Sequence, residues 1–174
     1  MSNFKLNLKM KKPIICIVGT SGSGKTFFIE RLIPELKKRG IRVFCIKHDV
    51  HDRFEIDKPG KDSWRHKKAG AVGTIISSPK RIGIIMDTDH DHDPEELLKY
   101  IDLDKVDLVL AEGYKKSRHL KIEVSTGNKL MCENDPFLIA VISNHPKKSS
   151  GVPYFKKDQA KEVAEFIIKK LDLL

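Results

Sequence analysis

Residues 19–26, Gly19-Thr20-Ser21-Gly22-Ser23-Gly24-Lys25-Thr26, satisfy the spacing G-x-x-x-x-G-K-[ST] in full. These residue types at this spacing suit the capture of a phosphate chain. A run of small residues lets successive backbone N–H groups converge on phosphate oxygens, and a helix beginning at Lys25 adds the positive end of its dipole. Lys25 supplies a point charge for the outer phosphates, and the Thr26 hydroxyl can serve a Mg²⁺ held between two of them. A glycine-rich turn without a ligand would share the glycines, but here all eight positions and both flanks fit the phosphate motif.

Further stretches carry candidates for the same chemistry. Val106-Asp107-Leu108-Val109-Leu110-Ala111-Glu112-Gly113 ends an apolar strand in a carboxylate and a glycine, as a Walker B element does. If that strand runs parallel to the one before the clamp, Glu112 emerges at the clamp's edge. Asp107 would then lie about 16 Å away, at ~3.3 Å per residue. Glu112 is therefore the expected carboxylate, either holding Mg²⁺ through water or orienting an attacking water. Lys47-His48-Asp49-Val50-His51-Asp52 and then Asp57–Ser63 leave the second strand on the edge where ligands of open α/β sheets bind. Asp49 and Lys61 are the carboxylate and the basic side chain expected from this loop at the γ-phosphate, with ordinary helix capping the equal alternative. The run Asp87-Thr88-Asp89-His90-Asp91-His92-Asp93 looks like a metal cluster. Alternate residues of an extended chain point opposite ways, however, and Asp93-Pro94-Glu95-Glu96 makes a better helix start.

The elements that must position these groups follow from periodicity. Ile14–Val18 is an apolar strand, and Phe28, Ile29, Leu32, Ile33 and Leu36 recur at helical spacing, predicting a helix over about 25–38 that is bent but not ended by Pro34 and stops at Gly40. Arg42–Lys47 is a second strand, completing a βαβ unit with parallel strands. A short helix over about 62–69, a hairpin of Val72–Ile76 and Arg81–Met86, and a helix up to about Tyr100 come next. The apolar hairpin must either pack on the sheet or be covered by a second copy of the protein. Strands at Lys121–Ser125 and Phe137–Ser143 precede a last helix capped by Asp158, with Ala160, Val163, Ala164, Ile167, Ile168 and Leu171 facing inward. The expected fold is α/β and three-layered: a mainly parallel twisted sheet with helices on both faces, plus a β-hairpin, in one domain spanning 12–174 after a polar lead-in of residues 1–11.

Composition narrows the setting. With 174 residues, 40% hydrophobic and 33% charged, the chain suits one soluble globular domain, and no apolar run approaches the ~20 residues of a membrane span. A cytoplasmic location is expected. Cys16, Cys45 and Cys132 lack C-x-x-C spacing and read as reduced core residues. The charge of +9 comes from scattered basic residues, among them Lys37-Lys38-Arg39 and Lys147-Lys148, without interleaved aromatics, so no nucleic-acid partner is expected.

Taken together these stretches resemble the molybdopterin-guanine dinucleotide biosynthesis protein B family of P-loop GTP-binding proteins. The resemblance rests on Gly19–Thr26, Ile46-Lys47-His48 with His51-Asp52, Asp57-Lys58-Pro59-Gly60-Lys61-Asp62-Ser63, Ala69-Gly70-Ala71, Ala111-Glu112-Gly113-Tyr114-Lys115 and Val152-Pro153, in the family's order and spacing. It covers nearly everything from Lys12 onward, and the Pro-Gly-Lys-Asp-Ser block is its most specific part. The resemblance implies a P-loop NTPase fold and a cytoplasmic homodimer that binds GTP with Mg²⁺ and hydrolyses it slowly at most. It also implies a partner, the guanylyltransferase that attaches GMP to molybdopterin, and molybdopterin-loaded proteins beyond it. The sequence departs from the family at the base: there is no N-K-x-D element, Asn128-Lys129 leads only to Met131, and Asn144 stands where relatives commonly carry Asp. Asn144 can still pair with a base edge. Two other classes share the motif: a small-molecule kinase with His48, Asp49 or Asp52 as base and Lys115, Lys116 and Arg118 as a lid, and a nucleic-acid-dependent ATPase suggested by charge alone.

Overall fold

The structure, a computed structural model, describes residues 12–51, 54–127, 129–145 and 151–174. The lead-in of residues 1–11, Asp52, Asn128, Pro146 and Lys147-Lys148 lie outside these. The chain forms two compact units, one running up to His48 and resuming at Asp93–Leu174, the other Asp49–His92.

The first unit holds a parallel sheet whose strands are β1 (Ile14–Val18), β2 (Val43–Lys47), β5 (Leu108–Glu112), β6 (Leu120–Val124), β7 (Leu138–Ile142) and β8 (Tyr154–Phe155). Their order is β2-β5-β1-β6-β7-β8. Continuous apolar runs such as Ile14–Val18 and Leu138–Ile142 are what a sheet covered on both faces requires, and all ten of their residues are buried. Alternation sorts them. Ile15, Ile17, Leu108, Leu110, Ile122 and Val124 pack with Phe28, Leu32 and Leu36 of α1 (Lys25–Lys38) and with Val163, Ala164 and Ile167 of α4 (Ala160–Leu171). Cys16, Val18, Val109 and Ala111 face the other way, toward Leu98 and its neighbours after α3 (Pro94–Leu97). Full burial of each such side chain contributes roughly 1.5–3 kcal/mol.

α1 runs through Pro34 without interruption and closes in a Schellman motif, with Gly40 N–H donating to Lys37 O at 3.0 Å and Ile41 N–H to Leu36 O at 3.1 Å. Arg39 then ties its last turn to α4 through Glu165 at 2.7 Å. α3 starts as its sequence requires: Asp93 accepts from Glu95 N–H, Glu96 returns a bond to Asp93 N–H at 2.8 Å, and Pro94 sits in the first turn. A 3₁₀ turn then carries the chain to Tyr100. The N-terminus of α4 differs from expectation. Gln159, not Asp158, is the cap position; its side chain accepts from Lys156 N–H at 2.8 Å, within the tight turn after β8.

Lys121 and Glu123 are each 1% exposed on the α3 side of the sheet. Both charges are satisfied: Lys121 Nζ bonds Ser117 O at 2.5 Å and Asp135 Oδ2 at 2.9 Å, and Glu123 accepts from the Met131 and Cys132 N–H groups at 2.7 and 2.9 Å. They pin Ser117 and the stretch 131–135 to the sheet. Cys16 and Cys132 are buried as expected, and burial pushes the Cys132 thiol up to about 11. Cys45 is exposed, because β2 is the sheet's edge strand and neither it nor Phe44 is covered.

At the end of β5 away from Glu112, Asp107 is held by Arg42 Nη2 at 2.7 Å, Nε at 2.9 Å and its backbone N–H at 2.8 Å. Hydrogen bonding to Arg42 lowers the Asp107 carboxyl to about 2. Asp107→Asn is expected to lower stability by about 1 kcal/mol at neutral pH, a figure reduced because Arg42 is half exposed. A depressed pKa contributes stability above the unfolded value of about 3.9 and loses it as pH falls toward 2. Denaturant unfolding of both proteins should show a gap at neutral pH that closes near pH ~2.

The second unit carries α2 (Asp62–Lys68) and the antiparallel hairpin of β3 (Gly73–Ser78) and β4 (Arg81–Met86), in register from Gly73↔Met86 to Ser78↔Arg81. Asp57 Oδ1 accepts from Ser63 Oγ and Lys58 N–H, both at 2.9 Å, and Lys67 pairs with Asp87. One face of the hairpin exposes Ile75 at 67% and Ile82 at 71%, with Ile84 and Met86 beside them, and the other face exposes Ile76.

Candidate functional site

The phosphate motif links β1 to α1. Thr20 O accepts from Ser23 N–H at 3.2 Å, closing a turn, and Gly24 O receives the first helical bond from Phe28 N–H at 2.9 Å. No acidic residue of α1 itself occupies its first turn, so the helix's own sequence leaves the positive end of its dipole to a ligand or to a neighbouring strand. Gly19 leaves β1 with φ +148, and a Cβ on it would stand 2.2 Å from Val124 O of β6. Only glycine lets the chain pass so close to the neighbouring strand. Lys25 curls over the loop, Nζ donating to Gly19 O at 3.0 Å and Thr20 O at 2.8 Å. Its charge thus sits above Gly19–Gly24, the place a phosphate needs it.

β5 lies directly beside β1, in parallel register with Ile17 opposite Glu112, and that register delivers Glu112 to the clamp. Thr26 Oγ1 donates to its carboxylate, 3.1 Å from Oε1 and 3.3 Å from Oε2. A hydroxyl and a carboxylate at one point are hard oxygen donors, the set that suits Mg²⁺. Asp107 is engaged by Arg42 at the far end of the same strand. Gly113 N–H donates to Ile17 O at 3.0 Å and Glu112 O accepts from His48 N–H at 3.0 Å, which fixes the strand end. Tyr114 then adopts a left-handed φ of 57 and stacks on His48 with centroids 4.4 Å apart. That conformation in an aromatic residue costs on the order of 1–2 kcal/mol, which the surrounding contacts offset.

The structure therefore brings together Gly19, Thr20, Ser21, Gly22, Ser23, Gly24, Lys25, Thr26 and Glu112. Asn144 joins them through Lys157, whose backbone N–H donates to Asn144 Oδ1 at 3.2 Å and whose Nζ donates to Ser23 O at 2.8 Å. Lys157 was not legible as part of the site. It stands in Lys156-Lys157-Asp158, which reads as a solvated face, and the two-residue β8 that aims it is too short to carry a periodic signal. Asp49 and Lys61 are carried by the second unit. There Asp49 Oδ1 accepts from His51 N–H at 3.1 Å, and Lys61 is the exposed residue preceding α2. Within the same unit His90 Nδ1 lies 2.6 Å from Asp89 Oδ1, and the His90 and His92 rings stack.

Comparison with known proteins bears on the family and the fold. The sequence model of the family described as molybdopterin guanine dinucleotide synthesis protein B matches residues 14–144. The molybdopterin-guanine dinucleotide biosynthesis adapter protein of Haemophilus influenzae is 41% identical over 136 residues, covering 77% of this chain and 76% of that protein. The adapter protein of Escherichia coli is 42% identical over 112 residues, 63% of each chain. A crystal structure of molybdopterin-guanine biosynthesis protein B superposes with a TM-score of 0.74 at 31% identity, covering 91% of this chain and 99% of that one. The six-stranded parallel sheet, its helices and the hairpin are thus the P-loop fold of that group. A family model matched over three quarters of the sequence and a relative at this identity lead to one conclusion: the chain belongs to the molybdopterin-guanine dinucleotide biosynthesis protein B family.

Proposed function

We propose that the protein binds GTP through Gly19–Thr26 and acts in the cytoplasm as an accessory to the guanylyltransferase that joins GMP to molybdopterin. The observation that carries this reading is the convergence of Lys25, Thr26 and Glu112 at one loop, with Thr26 and Glu112 3.1 Å apart. The description of the relatives as adapters supports the second half. Thr26 and Glu112 would hold Mg²⁺, which when bound neutralises charge between two phosphates. Lys25 and the N–H groups of the loop bind and orient the phosphates, and hydrolysis is slow at most. An adapter needs a held nucleotide more than a rapid turnover. With purified guanylyltransferase, molybdopterin and GTP, adding the protein should raise the yield of the dinucleotide. An unchanged yield at stoichiometric protein contradicts the accessory role.

The same reading includes a homodimer. Ile75, Ile76, Ile82, Ile84 and Met86 leave apolar surface on a two-stranded hairpin that is too small to be stable alone. A second copy of the chain, bringing an identical hairpin, is the proposed cover. Sedimentation velocity should show a dimer, converted to monomer by Ile75→Lys with Ile82→Lys. A wild-type monomer contradicts it.

A further inference from the structure

Lys157 reaches the phosphate loop from the chain just after β8, at the edge of the sheet. The backbone there is anchored. Ser143 N–H donates to Phe155 O at 2.8 Å, Lys156 N–H to Gln159 Oε1 at 2.8 Å, and Lys157 N–H to Asn144 Oδ1 at 3.2 Å. From this base the half-buried side chain runs to the loop, where Nζ donates to Ser23 O at 2.8 Å. Lys156 and Asp158 on either side are exposed, and among the described residues the ammonium pairs with no carboxylate, that of Asp158 included. The fold, not charge pairing, sets where this ammonium lies.

The carbonyl it holds belongs to a peptide whose other end matters to a phosphate. A trans peptide is planar, so its C=O and N–H point in opposite directions. With Ser23 O turned to Lys157, the N–H of Gly24 is turned the other way. That N–H belongs to the set with which a loop of this spacing cradles phosphates. The same peptide is able to turn over, because it precedes a glycine at φ 94 and ψ 23, and glycine adopts φ of either sign at little cost. α1 does not restrain it. The first helical bond is accepted one residue later, by Gly24 O from Phe28 N–H at 2.9 Å. Ser23 is 1% exposed and its own hydroxyl has no partner, so among the described residues the Lys157 ammonium is the contact that fixes the orientation of Ser23 O. A peptide turned over would offer the phosphates a carbonyl oxygen in place of a donor, a repulsive contact in place of an attractive one.

We propose that Lys157 is a positioning residue of the phosphate site: by holding Ser23 O it keeps the Gly24 N–H aimed at the phosphates, without touching them itself. The inference rests on the nucleotide-binding reading above. It extends the site to a residue 134 positions beyond Ser23, outside the phosphate motif.

Titration of labelled GTP against the wild type, Lys157→Ala, Lys157→Arg and Lys25→Ala tests it, with inorganic tripolyphosphate, which has no base, as the competitor. Lys157→Ala should weaken both ligands by the same factor, about tenfold, with a salt dependence close to that of the wild type, since no charge is taken from the phosphates' own contacts. Lys157→Arg keeps a donor at that reach and should stay within about threefold of the wild type. The melting temperature of Lys157→Ala should stay within a few degrees of the wild type. A loss confined to GTP would put Lys157 at the base, a weakened salt dependence would put its charge on the phosphates, and a melting temperature lowered by about 10 °C or more would make it a stability residue. Each of these, like an undiminished affinity in Lys157→Ala, overturns the inference while leaving nucleotide binding in place. GTP binding that is absent from the wild type, undiminished in Lys25→Ala or not displaced by tripolyphosphate overturns the nucleotide reading and this inference with it.

Discussion

Lys25→Ala is expected to weaken GTP binding by about a hundredfold or more while leaving the fold intact. The Lys25 ammonium places a full positive charge on the phosphate loop, and hydrogen bonds to charged groups are worth about 1.5–3 kcal/mol each. In the structure its partners are two carbonyls of its own loop, Gly19 O and Thr20 O. Among the described residues it holds no other element in place. Those carbonyls can turn to water when it is removed, so the melting temperature should stay within a few degrees of the wild type. Equilibrium binding and a thermal melt on the same preparation separate the two effects. A variant that still binds like wild type places the phosphates somewhere other than this loop.

Gly19→Ala should have the largest effect on stability of any single methyl addition in the loop. The new Cβ would stand 2.2 Å from Val124 O and 2.7 Å from Ser23 Oγ, at a φ of +148 that L side chains rarely adopt. A side chain could swing aside, but Val124 O belongs to the strand paired with β1, where Val18 lies opposite Glu123. Relief therefore requires parting β1 from β6 at the point where the sheet delivers the loop. The expected cost is about 3 kcal/mol or more, seen as a melting temperature lowered by roughly 6–12 °C. Nucleotide binding should fall with it, since the loop N–H groups move with the strand. A shift of only a degree or two would mean that the β1–β6 approach yields more easily than close packing allows.

The sequence carried the phosphate loop because its signals are local. Eight consecutive residues define the loop, five apolar residues precede it, and the spacing of Phe28, Leu32 and Leu36 follows it. Glu112 could be preferred to Asp107 from strand rise alone, and the parallel register of β5 beside β1 is where that distance is realised. What escaped depends on strand order or on very short elements. Cys45 sits in an apolar run, and only the placement of β2 at the edge of the sheet makes it exposed. Asp158 is a good capping residue by type, yet the turn after β8 hands the cap position to Gln159. Lys157 reaches Ser23 across 134 positions of sequence, a pairing that no local pattern encodes. The buried pair Lys121 and Glu123 escaped for the same reason, since their partners lie on segments that only the fold brings alongside β6.

Lys25, Thr26 and Glu112 are proposed to compose one GTP·Mg²⁺ site. Calorimetric titration of GTP into the wild-type protein, with Mg²⁺ and again with EDTA, tests it most directly. Saturable binding of one GTP per chain is expected, weakened about tenfold or more when the metal is chelated, with that metal dependence absent in Glu112→Gln. GTP binding that is undetectable, or equally tight with and without Mg²⁺, would contradict it.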